Sequence, residues 1–205
     1  MSKMRKNLKE DEKGFTISEL MMTIVLMMIG FAVMANFFGF GLRALQESQD
    51  RSDADREAST IAGNLLWEIR TAESKDGIVP IIETANANEI TFYRTVSTDE
   101  GPTRFHYYLT GTQLIKGETR PDPGGPPWIY TGGEQSEPVG ELVRNDTGNP
   151  IFRYLDSDQV QFVPASQADR ARISLIRIHI VCDKNTQKEP AASIQDEELS
   201  LRNRE

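Results

Sequence analysis

The side chain best placed for unusual chemistry in this chain is Glu19, a carboxylate at the edge of a long apolar run. From Leu20 to Leu42 no residue is charged. As a helix rising about 1.5 Å per residue, that run is roughly 35 Å long, against a bilayer core of about 30 Å. A carboxylate inside such a helix costs about 2.5 kcal/mol or more, so Glu19 calls for a positive partner. Taken alone, it also fits an interfacial side chain that reaches back to water. Five residues upstream lies Gly14, followed by Phe15. A glycine at that junction leaves the backbone open to a protease at the membrane face.

The flanks give the run a direction. Residues 1–14 hold Lys3, Arg5, Lys6, Lys9 and Lys13 against Glu10, Asp11 and Glu12. The other flank begins with Arg43 and turns acidic at Glu47, Asp50, Asp53 and Asp55. The positive-inside rule then keeps the N-terminus cytoplasmic and places residues 43–205 outside. A secretory signal has a shorter apolar core with its cleavage site after it. Here the candidate cleavage site comes first, so the apolar segment stays as an anchor in the cytoplasmic membrane.

The totals narrow the function. The chain has 205 residues and a net charge of −8, enough for one modest domain and an appendage. Residues 77–205 carry 13 Lys and Arg against 19 Asp and Glu, which argues against a broad nucleic-acid surface. One cysteine, Cys182, cannot form an intramolecular disulfide, and with two histidines it does not make up a usual zinc ligand set. Cys182 reads as a buried small residue in a strand.

The expected fold is α+β, a long N-terminal helix packed on a small antiparallel sheet. The spacing predicts a helix that continues past the membrane to Asp76-Gly77. Ala58, Ile61, Ala62, Leu65, Leu66, Ile69 and Ala72 form one apolar stripe, with Arg51, Asp55, Glu68 and Glu73 on other faces. Trp67 is expected to pack where the helix meets the sheet. Strands are expected at 89–96, 104–109, 113–116, 151–155, 159–163 and 170–182, a short helix at 139–145, and a surface loop at 117–138. Residues 184–198 read as polar and mobile, and 199–202 as a short terminal strand. The division is then leader 1–14, transmembrane helix 15–43, amphipathic helix 44–76 and globular part 77–205.

Residues 13–20, K-G-F-T-I-S-E-L, together with the apolar run, resemble the class III signal sequence of type IV pilins and pseudopilins. The resemblance implies that a prepilin peptidase cuts between Gly14 and Phe15 and that the new amine of Phe15 is methylated. It implies that Glu19, fifth in the mature chain, pairs with the N-terminal amine of a neighbouring subunit during filament assembly. The order of later elements is similar to minor pseudopilins of the J type and to related minor pilins. These are structural subunits without catalytic residues or cofactors, whose partners are the peptidase and other pilins or pseudopilins. A type IV pilus, a type II secretion pseudopilus and a competence pseudopilus all fit. The rival is an unprocessed single-pass membrane protein whose acidic head binds a ligand. A DNA receptor for uptake is a third reading, disfavoured by the acidic head.

Asn36 stands where many major pilins carry a proline. Its amide either bonds between helices or is satisfied on its own helix. His106 and His179 read as sheet residues without a nucleophile nearby. Asp146-Thr147-Gly148-Asn149 and Asp156–Asp158 are turns whose oxygens could also take calcium. Trp128 and Tyr130 sit in the long loop, either packed or presented as a contact tip.

Overall fold

The computed structural model describes residues 14, 16–77, 80–97, 100–184 and 192–201. Most of the leader, Phe15 and Arg202 lie outside the described residues. The chain forms two compact units, 1–46 and 47–205, with the boundary inside the first helix.

Helix α1 runs from Ile17 to Arg70 and is unbroken at Gly30, Gly39 and Gly41. Its first part is apolar on all sides, and the side chains from Ile17 to Leu45 are exposed apart from Gly39 and Gly41, which are partly covered. By length and composition this helix can cross a membrane. The amphipathic part buries Ala54, Ala58, Ile61, Ala62, Leu65 and Ile69 on one face. The helix stops at Arg70 rather than continuing to residue 76. The Thr71 hydroxyl donates to the carbonyls of Trp67 and Glu68, both at 3.1 Å, and closes the last turn with a side chain. Ala72 is still buried beyond that end.

Nine strands and a short helix follow: β1 Ile82–Asn86, β2 Glu89–Arg94, β3 Thr103–Thr110, β4 Gln113–Thr119, β5 Gln135–Gly140, β6 Phe152–Leu155, β7 Gln161–Phe162, α2 Gln167–Arg172, β8 Leu175–Cys182 and β9 Ser193–Ser200. They make two antiparallel sheets rather than one. The larger has the order β1-β2-β3-β4-β5 and the smaller β7-β6-β8-β9. Strands β3 and β4 meet at a two-residue turn in which Gly111 takes a φ of +63°, a conformation that glycine adopts without strain.

The sheets are tied at the β1–β2 turn. Phe152 N–H donates to the Ala87 carbonyl at 2.9 Å, and Ile151 N–H donates to Asn88 Oδ1 at 2.9 Å. The buried face of α1 then shares one core with Phe92, Phe105 and Tyr107 of the larger sheet and Ile176, Ile178 and Ile180 of the smaller. Each large apolar side chain so buried contributes about 1.5–3 kcal/mol.

Several expectations are corrected. Residues 139–145 are not a helix: Val139 and Gly140 end β5, and Val143 bridges to Cys182. Residues 170–172, expected to start the long strand, instead end the helix Gln167–Arg172, which Ser166 and Asp169 begin with a reciprocal capping box. Within residues 184–198, the last six form most of β9, which pairs along the whole of β8. Strand β1, with only five residues, was not expected. Trp67 is 56% exposed, and its ring is covered by the Arg94 guanidinium at 4.6 Å rather than by the core.

The largest departure is Glu68, which lies on the buried face of α1 with 7% exposure. Tyr107 Oη donates to its carboxylate at 2.6 Å, Lys116 Nζ donates at 2.9 Å, and Arg94 Nη2 stands 4.0 Å away. Burial, followed by the Glu68 charge, pushes the Tyr107 hydroxyl far above its ordinary pKa. Burial opposes the Lys116 ammonium, but hydrogen bonds to Glu118 and Glu68 outweigh it and raise its pKa. A buried carboxylate with two cations and a hydroxyl is costly to break from one side.

Glu68→Ala should therefore destabilise the chain by about 3–5 kcal/mol in urea unfolding of the detergent-solubilised protein, the range for removing one partner of a buried pair. Because the folded Lys116 value is raised, its contribution is complete below the ordinary lysine pKa of about 10.4 and is lost as pH climbs through the folded value. The unfolding midpoint should fall in that alkaline range, and Lys116→Met should flatten the fall.

Candidate functional site

The N-terminal site is built on the first turn of α1. Thr16 precedes the helix and Glu19 is its third residue. Thr16 N–H donates to Glu19 Oε2 at 3.0 Å, and Glu19 N–H donates to Thr16 Oγ1 at 3.3 Å. Each side chain thus satisfies a backbone donor of the other, which is a capping box. The Thr16 hydroxyl also donates to Glu19 Oε2 at 3.0 Å. The pattern T-I-S-E carries the signal for this box in the sequence, and it is absent from a reading that asks only which cation Glu19 needs.

The box fixes what Glu19 can do. Its carboxylate sits at the N-terminal end of a helix, where the positive end of the peptide dipoles favours negative charge. It is exposed and has no cation within the chain among the described residues. One carboxylate oxygen is engaged by Thr16, and Oε1 has no hydrogen bond among the described residues, so the group can accept another donor without the cap being lost. Gly14 is exposed and irregular, two residues before Thr16, with no atom near the position of an added Cβ. The peptide expected to be cut therefore lies just ahead of the capped helix. Phe15, expected to receive the methyl group, lies outside the described residues. Further along α1, the Asn36 amide donates to the Ala32 carbonyl of its own helix at 3.0 Å.

The remaining candidates are brought to other places. Cys182 is fully buried, and burial pushes its thiol up to about 12. Asp146 Oδ1 accepts from the N–H groups of Gly148 and Asn149, both at 2.8 Å, and Asp156 Oδ1 from those of Asp158 and Val160, both at 3.0 Å. These are side-chain-closed turns. Among the described residues no three His, Cys, Asp or Glu side chains are grouped to hold a metal ion. His179 Nδ1 lies 2.6 Å from Asp196 across β8 and β9.

The Pro/Gly-rich loop, now residues 120–134, is packed rather than presented. Tyr130 Oη donates to the Pro102 carbonyl at 2.6 Å, its ring lies 5.4 Å from that of Tyr93, and Trp128 N–H donates to Asp76 at 3.0 Å. Under the loop, Glu83 accepts from Tyr93 Oη at 2.7 Å and Arg104 Nε at 2.8 Å. Burial raises the Glu83 pKa, but these two bonds overcome it and hold the carboxyl below its ordinary value.

Thr16→Ala removes both the hydroxyl acceptor and the hydroxyl donor of the box. It should cost about 1 kcal/mol at the helix start, seen as faster amide exchange at residues 17–20 in micelles. No protein-family model matches the chain, and no curated protein matches it.

Proposed function

We propose that this chain is a non-catalytic structural subunit, a minor pilin or minor pseudopilin of a type IV pilus or of a type II secretion or competence pseudopilus. The observation that carries it is Glu19, five residues after Gly14, at the capped start of a helix whose apolar surface nothing else in the described chain covers. Such a surface has two stable surroundings, lipid before assembly and the helices of other subunits after it. The antiparallel sheets that follow the helix support the same reading.

In this proposal the chain is inserted in the cytoplasmic membrane with its N-terminus inside. Prepilin peptidase cuts after Gly14, leaving Phe15 as the methylated first residue. The Phe15 amine of one subunit then meets Glu19 of a neighbour in a low-dielectric place, where the pair neutralises a charge that is costly alone. The pairing also sets the axial register of the helices. The globular part takes no substrate and carries out no reaction.

Co-expression with a prepilin peptidase should lower the mass by that of residues 1–14, offset by the gain of one methyl group, and Gly14→Ala should abolish the shift. An uncleaved wild-type chain would instead leave a single-pass anchored binding protein. Glu19→Ala should be cleaved like the wild type and yet be depleted from sheared filaments. Normal incorporation of that variant would remove the charge pairing.

A further inference from the structure

Glu83, Tyr93 and Arg104 lie on the outward face of the larger sheet, opposite the side on which Ile82, Phe92 and Phe105 enter the core. Two hollows open on that face, of about 430 Å³ at the 120–134 loop and about 320 Å³ at α2. They share Lys75, Glu83 and Tyr93, so they form one cleft. Trp128 and Tyr130 line its loop end, and Gln167 and Arg170 its α2 end. Its size suits a small molecule. The Trp128 N–H bond to Asp76 and the Tyr130 Oη bond to the Pro102 carbonyl hold the aromatic wall in place, so the cleft is formed before any ligand enters.

The acids at this cleft are already committed. Glu83 Oε2 accepts from Tyr93 and Arg104, Glu134 is held by Arg104, His106 and Ser136, and Asp76 Oδ1 accepts from Trp128 N–H. Two of the cations are not. Lys75 Nζ lies 5.1 Å from the centre of the Tyr130 ring and 6.0 Å from that of Tyr93, and none of its N–H groups has an acceptor among the described residues. The Arg170 guanidinium makes no hydrogen bond or ion pair among the described residues, and its Nε is enclosed without an acceptor. The unmet demand in the cleft is therefore for negative charge.

An apolar ligand would strip water from both cations and give nothing back. A carboxylate supplies both the charge and the acceptors. A bare anion would leave the rest of the cleft unused. Glu83 Oε1 and the Gln167 amide have no hydrogen bond among the described residues, and they suit groups that both donate and accept. Tyr130 and Trp128 offer aromatic surface. A pyranose ring answers to both, with hydroxyls at its edge and C–H groups on its face. We propose that the cleft holds an acidic sugar, with its carboxylate taken by Lys75 and Arg170 and its ring lying along Tyr130 and Trp128. The sugar is bound and not altered. The site lies within residues 75–170 and does not depend on how the apolar helix is used.

The test is equilibrium dialysis of the full chain in detergent micelles against radiolabelled glucuronate at constant ionic strength. Saturable binding is expected, with neutral methyl glucoside and inorganic phosphate as weak competitors. Lys75→Met and Arg170→Met should each weaken binding about tenfold, the effect of losing one charge-assisted hydrogen bond. Arg56→Met, which removes an exposed cation of α1, should leave it unchanged. Helix α2 buries no side chain, so Arg170→Met keeps the fold even if Lys75→Met does not. A short polyuronate that binds more tightly than glucuronate supports the site and identifies a polymer as the source, and equal affinity supports it with the free acid. The absence of saturable binding overturns the proposal. So does methyl glucoside or phosphate that competes as well as glucuronate, or binding by Arg170→Met as tight as the parent's.

Discussion

One continuous helix has to satisfy two kinds of surroundings, and the rest of the chain follows from how it does so. Over its first part α1 is apolar on every side, and none of the described residues covers it. Over its last turns the apolar residues withdraw to one face, which is covered by two sheets. The change comes where the sequence first alternates charge with alanine, near Asp53 to Ala58. A helix needs no internal partner for its backbone in lipid, which is why the same element serves on both sides. What differs is only which side chains meet which surroundings.

That division explains where polar groups are placed. At the start, Glu19 is engaged by the Thr16 cap and has no other partner among the described residues. Near the end, Glu68 is enclosed by Tyr107, Lys116 and Arg94. Both are carboxylates on one helix, yet the first is open to a new donor and the second is already fully served. The Glu68 cluster also joins α1 to β2, β3 and β4 through side chains of fixed geometry, so the helix cannot rotate on the sheet without leaving a buried charge unpaired.

Much of this was legible in the residues. The apolar run, the stripe at Ala58, Ile61, Ala62, Leu65 and Ile69, and the strands at 89–96, 104–109 and 113–116 follow from period and composition, although the last runs on to Thr119, into the expected loop. The failures have identifiable causes. A charged residue beside an apolar stripe reads as lying on another face, and the partners that bury Glu68 lie 39 and 48 residues away. Strand β9 reads as polar because Gln195, Asp196, Glu197 and Glu198 crowd it, although it is an edge strand held by the ladder with β8. The capping box at Ser166 and Asp169 outweighs the apparent start of β8, and at Thr16 and Glu19 the carboxylate is an acceptor for a backbone N–H as well as a charge. Processing at Gly14 and Phe15 is written only in the motif, since the geometry of a cut peptide depends on the enzyme that binds it.

Cys182 has a practical consequence. The thiolate is the species that reacts with maleimides and iodoacetamides, and burial keeps this group protonated through the neutral range. The native chain therefore presents no reactive thiol while it is folded. A cysteine introduced at any exposed position would be the one label on the molecule, and spectroscopic distances between subunits could be measured without first replacing a residue of the core.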